Sequence, residues 1–232
     1  MDTNETLDRL PEQLPDDPMH WADGWLKEAT ATGVQRNPNA MTIVSVGADG
    51  QPSARVVLCK QMVPDPGYVV FHTNYRSRKS RELDAHPASA ALFHWDAIGR
   101  QIRLEGQVVR SPDTESDEYF ASRGWSSQLG AWGSDQSEPI ESKEALVRQI
   151  RERGRSLGLN LAEGTTQLAD GRIPAITRPP HWGGMRFWAH TIELWIEGED
   201  RIHDRGMWTR DIIRSSEHEF TTTPWHGTRL QP

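Results

Sequence analysis

The chain has 232 residues, 25% of them charged, and a formal net charge of −7. That length suits one sizeable domain, and the acidic balance gives no general attraction to nucleic acid, so a phosphate-binding surface has to be a local basic cluster. No apolar run approaches the ~20 residues of a membrane span, the acidic start from Met1 to Pro18 is unlike a signal peptide, and the lone Cys59 excludes an internal disulfide and fits a reducing cytoplasm.

Residues 1–16 lack apolar periodicity and read as a mobile segment, with residues 17–232 as one domain. From Asp17 to about Thr32, Trp21, Trp25, Leu26 and Ala29 recur at helical spacing, and Asn37-Pro38-Asn39 breaks the pattern. Met41–Val46 reads as a strand, Gly47–Gly50 as a hairpin turn, Ser53–Gln61 as the partner strand and Tyr68–Thr73 as a third. A short helix is expected over Ser77–Asp84, then strands over Ala88–Trp95 and Arg100–Arg110. Ser111-Pro112 predicts a capped helix ending near Ser122, and Leu146, Val147 and Ile150 mark another over Ser142–Leu157. Gly158–Arg172 reads as a polar loop and Gly183-Gly184 as a turn, before strands around Arg186–Trp188, Thr191–Ile196 and Arg201–Arg210. Many short strands with peripheral helices predict a mainly β fold, a small antiparallel barrel with α additions.

Four clusters carry candidate chemistry. Arg55 and Lys60 flank Val56-Val57-Leu58-Cys59, and strict alternation puts them on opposite faces, so either a bulge intervenes, or they meet different parts of a ligand, or both snorkel at the strand ends. Thr73 to Lys79 sets Arg76, Arg78 and Lys79 at a helix N-terminus, a ready anion site that otherwise reads as a solvated basic turn. Tyr119 and Arg123 share a helix face at i and i+4, with Ser127, Gln128, Gln136 and Ser137 following; a phosphate monoester could be held there, but alone the pattern reads as an ordinary surface pair. Period two puts Arg201, His203 and Arg205 on one strand face, where they repel unless an anion sits opposite, although His203 also suits an ordinary half-buried position. Nine histidines without paired ligand spacing argue against structural zinc, Cys59 reads as packing, and no G-x-S-x-G, Walker A or G-x-G-x-x-G motif is present.

Taken in order, these segments resemble the pyridoxamine 5′-phosphate oxidase family. The matching stretches include Asn39-Ala-Met41, Arg55–Lys60, Thr73-Asn74, Ser77-Arg78-Lys79, Arg100-Gln101, Tyr119-Phe120 and Ser122-Arg123. They continue through Ser127–Trp132, Gln136-Ser137, Trp182–Gly184, Ile192–Trp195, Arg201–Arg205 and Arg229–Pro232. The resemblance implies an FMN-binding split β-barrel, Greek-key-like and antiparallel, working as a homodimer with flavin between the subunits. By position, Arg55, Val56, Val57, Leu58, Lys60, His72, Thr73, Arg78, Lys79, Gln101, Gln136, Ser137, Trp195 and Arg205 would hold FMN. Lys60, Tyr119, Arg123 and Ser127 would hold a substrate phosphate, with Arg201 and His203 over its pyridine ring. The implied reaction oxidises pyridoxamine or pyridoxine 5′-phosphate to pyridoxal 5′-phosphate, with O₂ as acceptor and H₂O₂ as product. Three departures stand out: His72 where the family usually has tyrosine, Gly124 where it usually has proline, and no N-terminal counterpart of the Arg/Tyr pair folded over substrate. The alternatives are a flavin oxidase of the same fold with another substrate, such as the phenazine-biosynthesis branch, or a non-catalytic flavin-binding module.

Overall fold

In the computed structural model, which describes residues 9–159 and 175–232, Asp17 caps the first helix, α1 (Pro18–Thr32). Its carboxylate accepts from the Met19 amide at 2.8 Å, and Pro18 takes a first-turn position that needs no amide hydrogen. Six strands follow in the described chain: β1 (Ala40–Val46), β2 (Pro52–Val63), β3 (Tyr68–Asn74), β4 (Ala88–Trp95), β5 (Arg100–Arg110) and β6 (Trp182–Ile196). They pair antiparallel in the order β6-β3-β2-β1-β4-β5, and β5 returns to β6 to close a barrel. The run β3-β2-β1-β4 has the Greek-key order, so the expected mainly β barrel is what the chain forms.

Alternation explains the register. Every second residue of β1 is buried, and β5 follows the same rule from Arg100 to Val108. Phe71, Phe93 and Phe187 are fully buried together with Trp25 and Trp95, and burying each such phenyl ring contributes roughly 1.5–3 kcal/mol. Helices pack around this core: α2 (Arg78–Ala85), α3 (Asp113–Ser122), α4 (Trp125–Gly133) and α5 (Lys143–Ser156). Beyond β6 the sheet continues through β7 (Asp204–Thr209) and β10 (His226–Leu230), while β8 (Ile212–Arg214) and β9 (Phe220–Thr222) pair separately. Among the described residues, no helix is long and apolar enough to cross a membrane, and no group of three or more His, Cys, Asp or Glu is placed to hold a metal ion.

Several expectations need correction. The two strands expected around Arg186–Trp188 and Thr191–Ile196 are one, β6, and Gly183-Gly184 lies inside it rather than in a turn. Both glycines are required by close neighbours: a Cβ at Gly183 would sit 2.1 Å from the Tyr75 hydroxyl, and one at Gly184 2.6 Å from Ser111 Oγ. Ser111 is not the cap of α3; Pro112 holds that position, and Ser111 is buried against β6, its amide donating to the Gly184 carbonyl. Helix α4 is additional to the expected elements. Of the segment read as mobile, residues 1–8 lie outside the described residues, while Leu10 is 1% exposed and its amide donates to Asp204 at 2.7 Å. The expected 158–172 loop lies outside them from residue 160 onward.

Candidate functional site

A cavity of about 710 Å³ opens where β2, β3 and the start of α2 face α3, α4 and the loop after it. Its walls include Val56, Val57, Leu58 and Lys60 from β2, His72 and Thr73 from β3, and Lys79 from α2. Tyr119, Arg123, Ser127 and Gln136 complete it from the other side, so eleven of the candidate residues meet in one place. The pairing of β2 with β3 shifts register between Cys59 and Gln61, so a bulge does fall at Lys60. Lys60 lies on the cavity side with Val56 and Leu58 by ordinary alternation, while Arg55 turns to a neighbouring network, so the bulge does not bring the two cations onto one face.

The basic half is built around α2. Lys79 is 8% exposed, and among the described residues its ammonium donates only to neutral oxygens: Thr73 Oγ1 at 2.7 Å, Ser77 Oγ at 3.2 Å and Gln136 Oε1 at 3.0 Å. Burial, and then the charge of Arg55, lower it to about 8. The Arg78 amide donates to Ser137 Oγ at 3.1 Å, and Ser137 is held at a φ of 78°, an uncommon conformation for a side-chain-bearing residue. Arg78 and Arg55 both contact the carboxylate of Glu82.

The aromatic half stacks. His72 lies 3.8 Å from the Tyr119 ring, centroid to centroid, and 5.3 Å from Trp182, and Arg123 caps the Trp182 face at 4.5 Å. Arg123 follows the last turn of α3 in extended conformation, so it reaches the cavity from the helix end rather than from a shared helical face with Tyr119. Its Nη1 is buried without a hydrogen-bond partner among the described residues, as is His72 Nδ1. Burial foremost, then the charges of Arg123 and Lys60, lower the His72 imidazole to about 4, so it is neutral at physiological pH. An uncompensated guanidinium nitrogen beside a lysine suits a phosphate monoester. Cys59 is buried, and that burial pushes its thiol up to about 12, which suits packing and not nucleophilic attack.

The remaining candidates lie elsewhere on the chain. Gln101, Trp195 and Arg205 are direct cross-strand neighbours on β5, β6 and β7, hence on one face, and the His203 ring lies 4.6 Å from that of Trp195. The shared strand face expected for Arg201, His203 and Arg205 is not formed. β7 begins only at Asp204, and Arg201 ends a 3-10 turn (Glu199–Arg201) at a φ of 65°. The anion opposite Arg205 is internal: buried Glu193 bridges it at 2.8 Å and Arg103 at 2.7 Å. Sequence reading missed the wall supplied by α4, with Gly130 and Ala131, and it assigned no role to Glu82 or Glu193, which carry no motif of their own.

Barrel, outer helices and cation-lined cleft together define a split-barrel protein. Residues 26–156 match the family model described as pyridoxamine 5′-phosphate oxidase, and residues 182–232 match that of the pyridoxine 5′-phosphate oxidase C-terminal dimerisation region. The chain belongs to the pyridoxamine 5′-phosphate oxidase family. A pyridoxine/pyridoxamine 5′-phosphate oxidase of Roseobacter denitrificans is 41% identical over 217 residues, spanning 94% of this chain and 95% of its own. One from Burkholderia multivorans is 46% identical over 216 residues, 93% of this chain and 89% of its own. Among solved structures, PhzG from Burkholderia lata, in complex with tetrahydrophenazine-1-carboxylic acid, superposes with a TM-score of 0.77 at 28% identity, covering 100% of this chain and 99% of its own. A pyridoxamine 5′-phosphate oxidase-related, FMN-binding protein of Nostoc punctiforme shares the fold with a TM-score of 0.63 at 13% identity, covering 93% and 97%.

Proposed function

We propose that this protein is an FMN-dependent oxidase that converts pyridoxine or pyridoxamine 5′-phosphate to pyridoxal 5′-phosphate, working as a homodimer. The observation that carries this reading is the cleft itself: among the described residues, Lys79 is bonded only to neutral oxygens at one end and Arg123 Nη1 is without a hydrogen-bond partner at the other, with flat rings between. One end suits the flavin phosphate, held by Arg78, Lys79 and Ser137. The other suits a second phosphate, held by Lys60, Tyr119, Arg123 and Ser127. FMN would supply the redox chemistry, as two-electron acceptor from the substrate's 4′ carbon with O₂ as final acceptor giving H₂O₂, and with the pyridoxamine form water would release the amine as ammonia. The chain's part would be to hold the pyridine ring against the flavin. Gln101, Trp195, Arg201, His203 and Arg205 do not line the cleft of their own chain. With the match of residues 182–232 to a dimerisation region, this supports their completing the partner's site.

Mixing the purified protein anaerobically with pyridoxine 5′-phosphate should bleach its flavin absorbance, and admitting O₂ should restore it. Arg123→Ala should raise KM by about tenfold or more with kcat little changed, because its contact exists in ground and transition states alike. Bleaching by free pyridoxine as readily as by the phosphate would remove the phosphate assignment. The likeness to PhzG supports a second reading, in which the same flavin chemistry acts on a reduced phenazine precursor. Bleaching by tetrahydrophenazine-1-carboxylic acid but not by pyridoxine 5′-phosphate would establish it.

A further inference from the structure

Behind the basic end of the cleft lies a closed hydrogen-bonded ring. Glu82 of α2 is 8% exposed, and Ser45 beside it is fully buried. Its Oε2 accepts from Ser45 Oγ at 2.5 Å, from Ser53 Oγ at 2.7 Å and from Arg55 Nη2 at 3.2 Å. Its Oε1 accepts from Arg78 Nε at 2.7 Å. Arg55 in turn donates to both serine hydroxyls, so each hydroxyl takes a hydrogen bond from Arg55 and gives one to Glu82. One carboxylate thus ties together β1, β2 and α2. The Nη groups of Arg78, whose side chain is 59% exposed, stay outside these contacts.

We propose that Glu82 is a positioning residue for cofactor binding: it fixes the guanidinium groups of Arg55 and Arg78 so that they face the flavin phosphate beside Lys79. This rests on the FMN reading given above. Burial by itself raises the Glu82 carboxyl, yet the hydrogen bonds from the two serines and two arginines outweigh it and hold the group at about 2, so the ring stays charged throughout the physiological range. An exposed arginine of this length has considerable rotamer freedom to lose on gripping an anion, and a contact formed beforehand removes part of that loss. Arg55 donates to the ring from both terminal nitrogens, so its plane is set before any ligand arrives.

The alternative role has the opposite sign. A buried carboxylate near a phosphate site is a like charge, and if that were all it was, removing it would tighten FMN. Glu82→Gln separates the two. In either amide orientation an NH₂ group faces donors, at the triple-donor position or at Arg78 Nε, so the ring cannot reform.

The experiment titrates flavin-stripped full-length protein with FMN and with riboflavin, which lacks the phosphate, following flavin fluorescence. Glu82→Gln is expected to raise the Kd for FMN about tenfold or more while leaving that for riboflavin within about twofold. Glu82→Asp, which keeps the charge but is one methylene shorter, should shift in the same direction. Should Glu82→Gln fail to fold, Ser53→Ala decides, with an expected weakening of FMN of about threefold and riboflavin unchanged. FMN binding that is unchanged or tighter overturns the proposal, and so does an equal loss for both flavins, which marks a purely structural residue. Wild-type protein that binds neither flavin overturns the FMN reading itself.

Discussion

Lys79 holds its charge among neutral oxygens, and that arrangement has a pH signature. Its ammonium is lowered to about 8, by burial first and then by Arg55. On the FMN reading proposed above, a bound phosphate would favour the protonated form and raise that value again, so affinity for FMN should be level below about pH 8 and fall above it, by up to about tenfold per pH unit. Flavin titrations between about pH 7 and 9.5 test this, staying above the second phosphate ionisation near 6. Lys79→Arg, which stays charged, should flatten the fall. A wild-type affinity level to pH 9.5 would remove Lys79 from the phosphate site. Lys79 was legible in the sequence because it stands with Arg78 at a helix start, but its depressed ionisation was not, since that comes from burial in the folded chain and then from the charge of Arg55 on another strand. His72 repeats the lesson: its identity shows as a departure from the family pattern, whereas its neutrality comes from burial against Tyr119 and Trp182 and from the nearby charges of Arg123 and Lys60.

Strands with one buried face were the most legible: β4 and β5 run as expected to the residue, while β1 and β2 each begin one residue earlier than expected and β2 runs two further, to Val63. β6 was not, because its first eight residues are all buried, Arg186 included, so the period-two signal vanishes and two glycines mimic a turn. Helix α4 escaped for the opposite reason. Gly130 and Gly133 depress helix propensity, and only the structure shows that Gly133 makes room for Ile150 of α5, where a Cβ would sit 2.6 Å from the isoleucine side chain. The Arg201 turn was misread as strand because alternation of charges is no guide to backbone conformation once Gly198 folds the chain back, its would-be Cβ 1.8 Å from the Ile202 carbonyl oxygen. At this scale the sharpest test is Gly106, where the β5–β6 register shifts. A Cβ there would lie 2.0 Å from the Trp188 carbonyl oxygen, which is backbone and cannot step aside. Gly106→Ala should destabilise the protein by roughly 2–4 kcal/mol, read as a lower denaturant midpoint at unchanged slope. A midpoint equal to wild type would mean that the bulge relaxes freely.

Most candidate residues fall into two groups, one lining the cleft, with Arg55, Arg78 and Ser137 close by, and one forming the row Gln101–Trp195–Arg205 with His203 stacked on it. If each site of the homodimer takes one group from each subunit, two inactive variants can repair one another. Lys79→Ala and His203→Ala chains, mixed under conditions that exchange subunits, should regain about a quarter of wild-type activity, because half the dimers are hybrid and each hybrid has one undamaged site. No recovery over the separately treated variants would place both groups in a site within one subunit. The sequence revealed both groups, through motifs scattered from Arg55 to Arg205, and the family resemblance implied a flavin between subunits, but strand alternation and residue spacing by themselves did not show that a single chain keeps the groups apart. The barrel that carries them is closed by β6, whose pairing with β5 joins Arg100 to Ile196 and Arg110 to Met185. Translation therefore leaves an interval: about seventy residues separate the end of β5 from the start of β6, several seconds of synthesis at roughly 5–20 residues per second. Throughout it, β3 and β5 are the two open borders of an unfinished sheet, each offering bare backbone amides and carbonyls to any neighbouring chain. On polysomes, where such half-made sheets would lie side by side, those borders are free to pair between chains until the residues from Trp182 onward have left the ribosome and β6 can cover them.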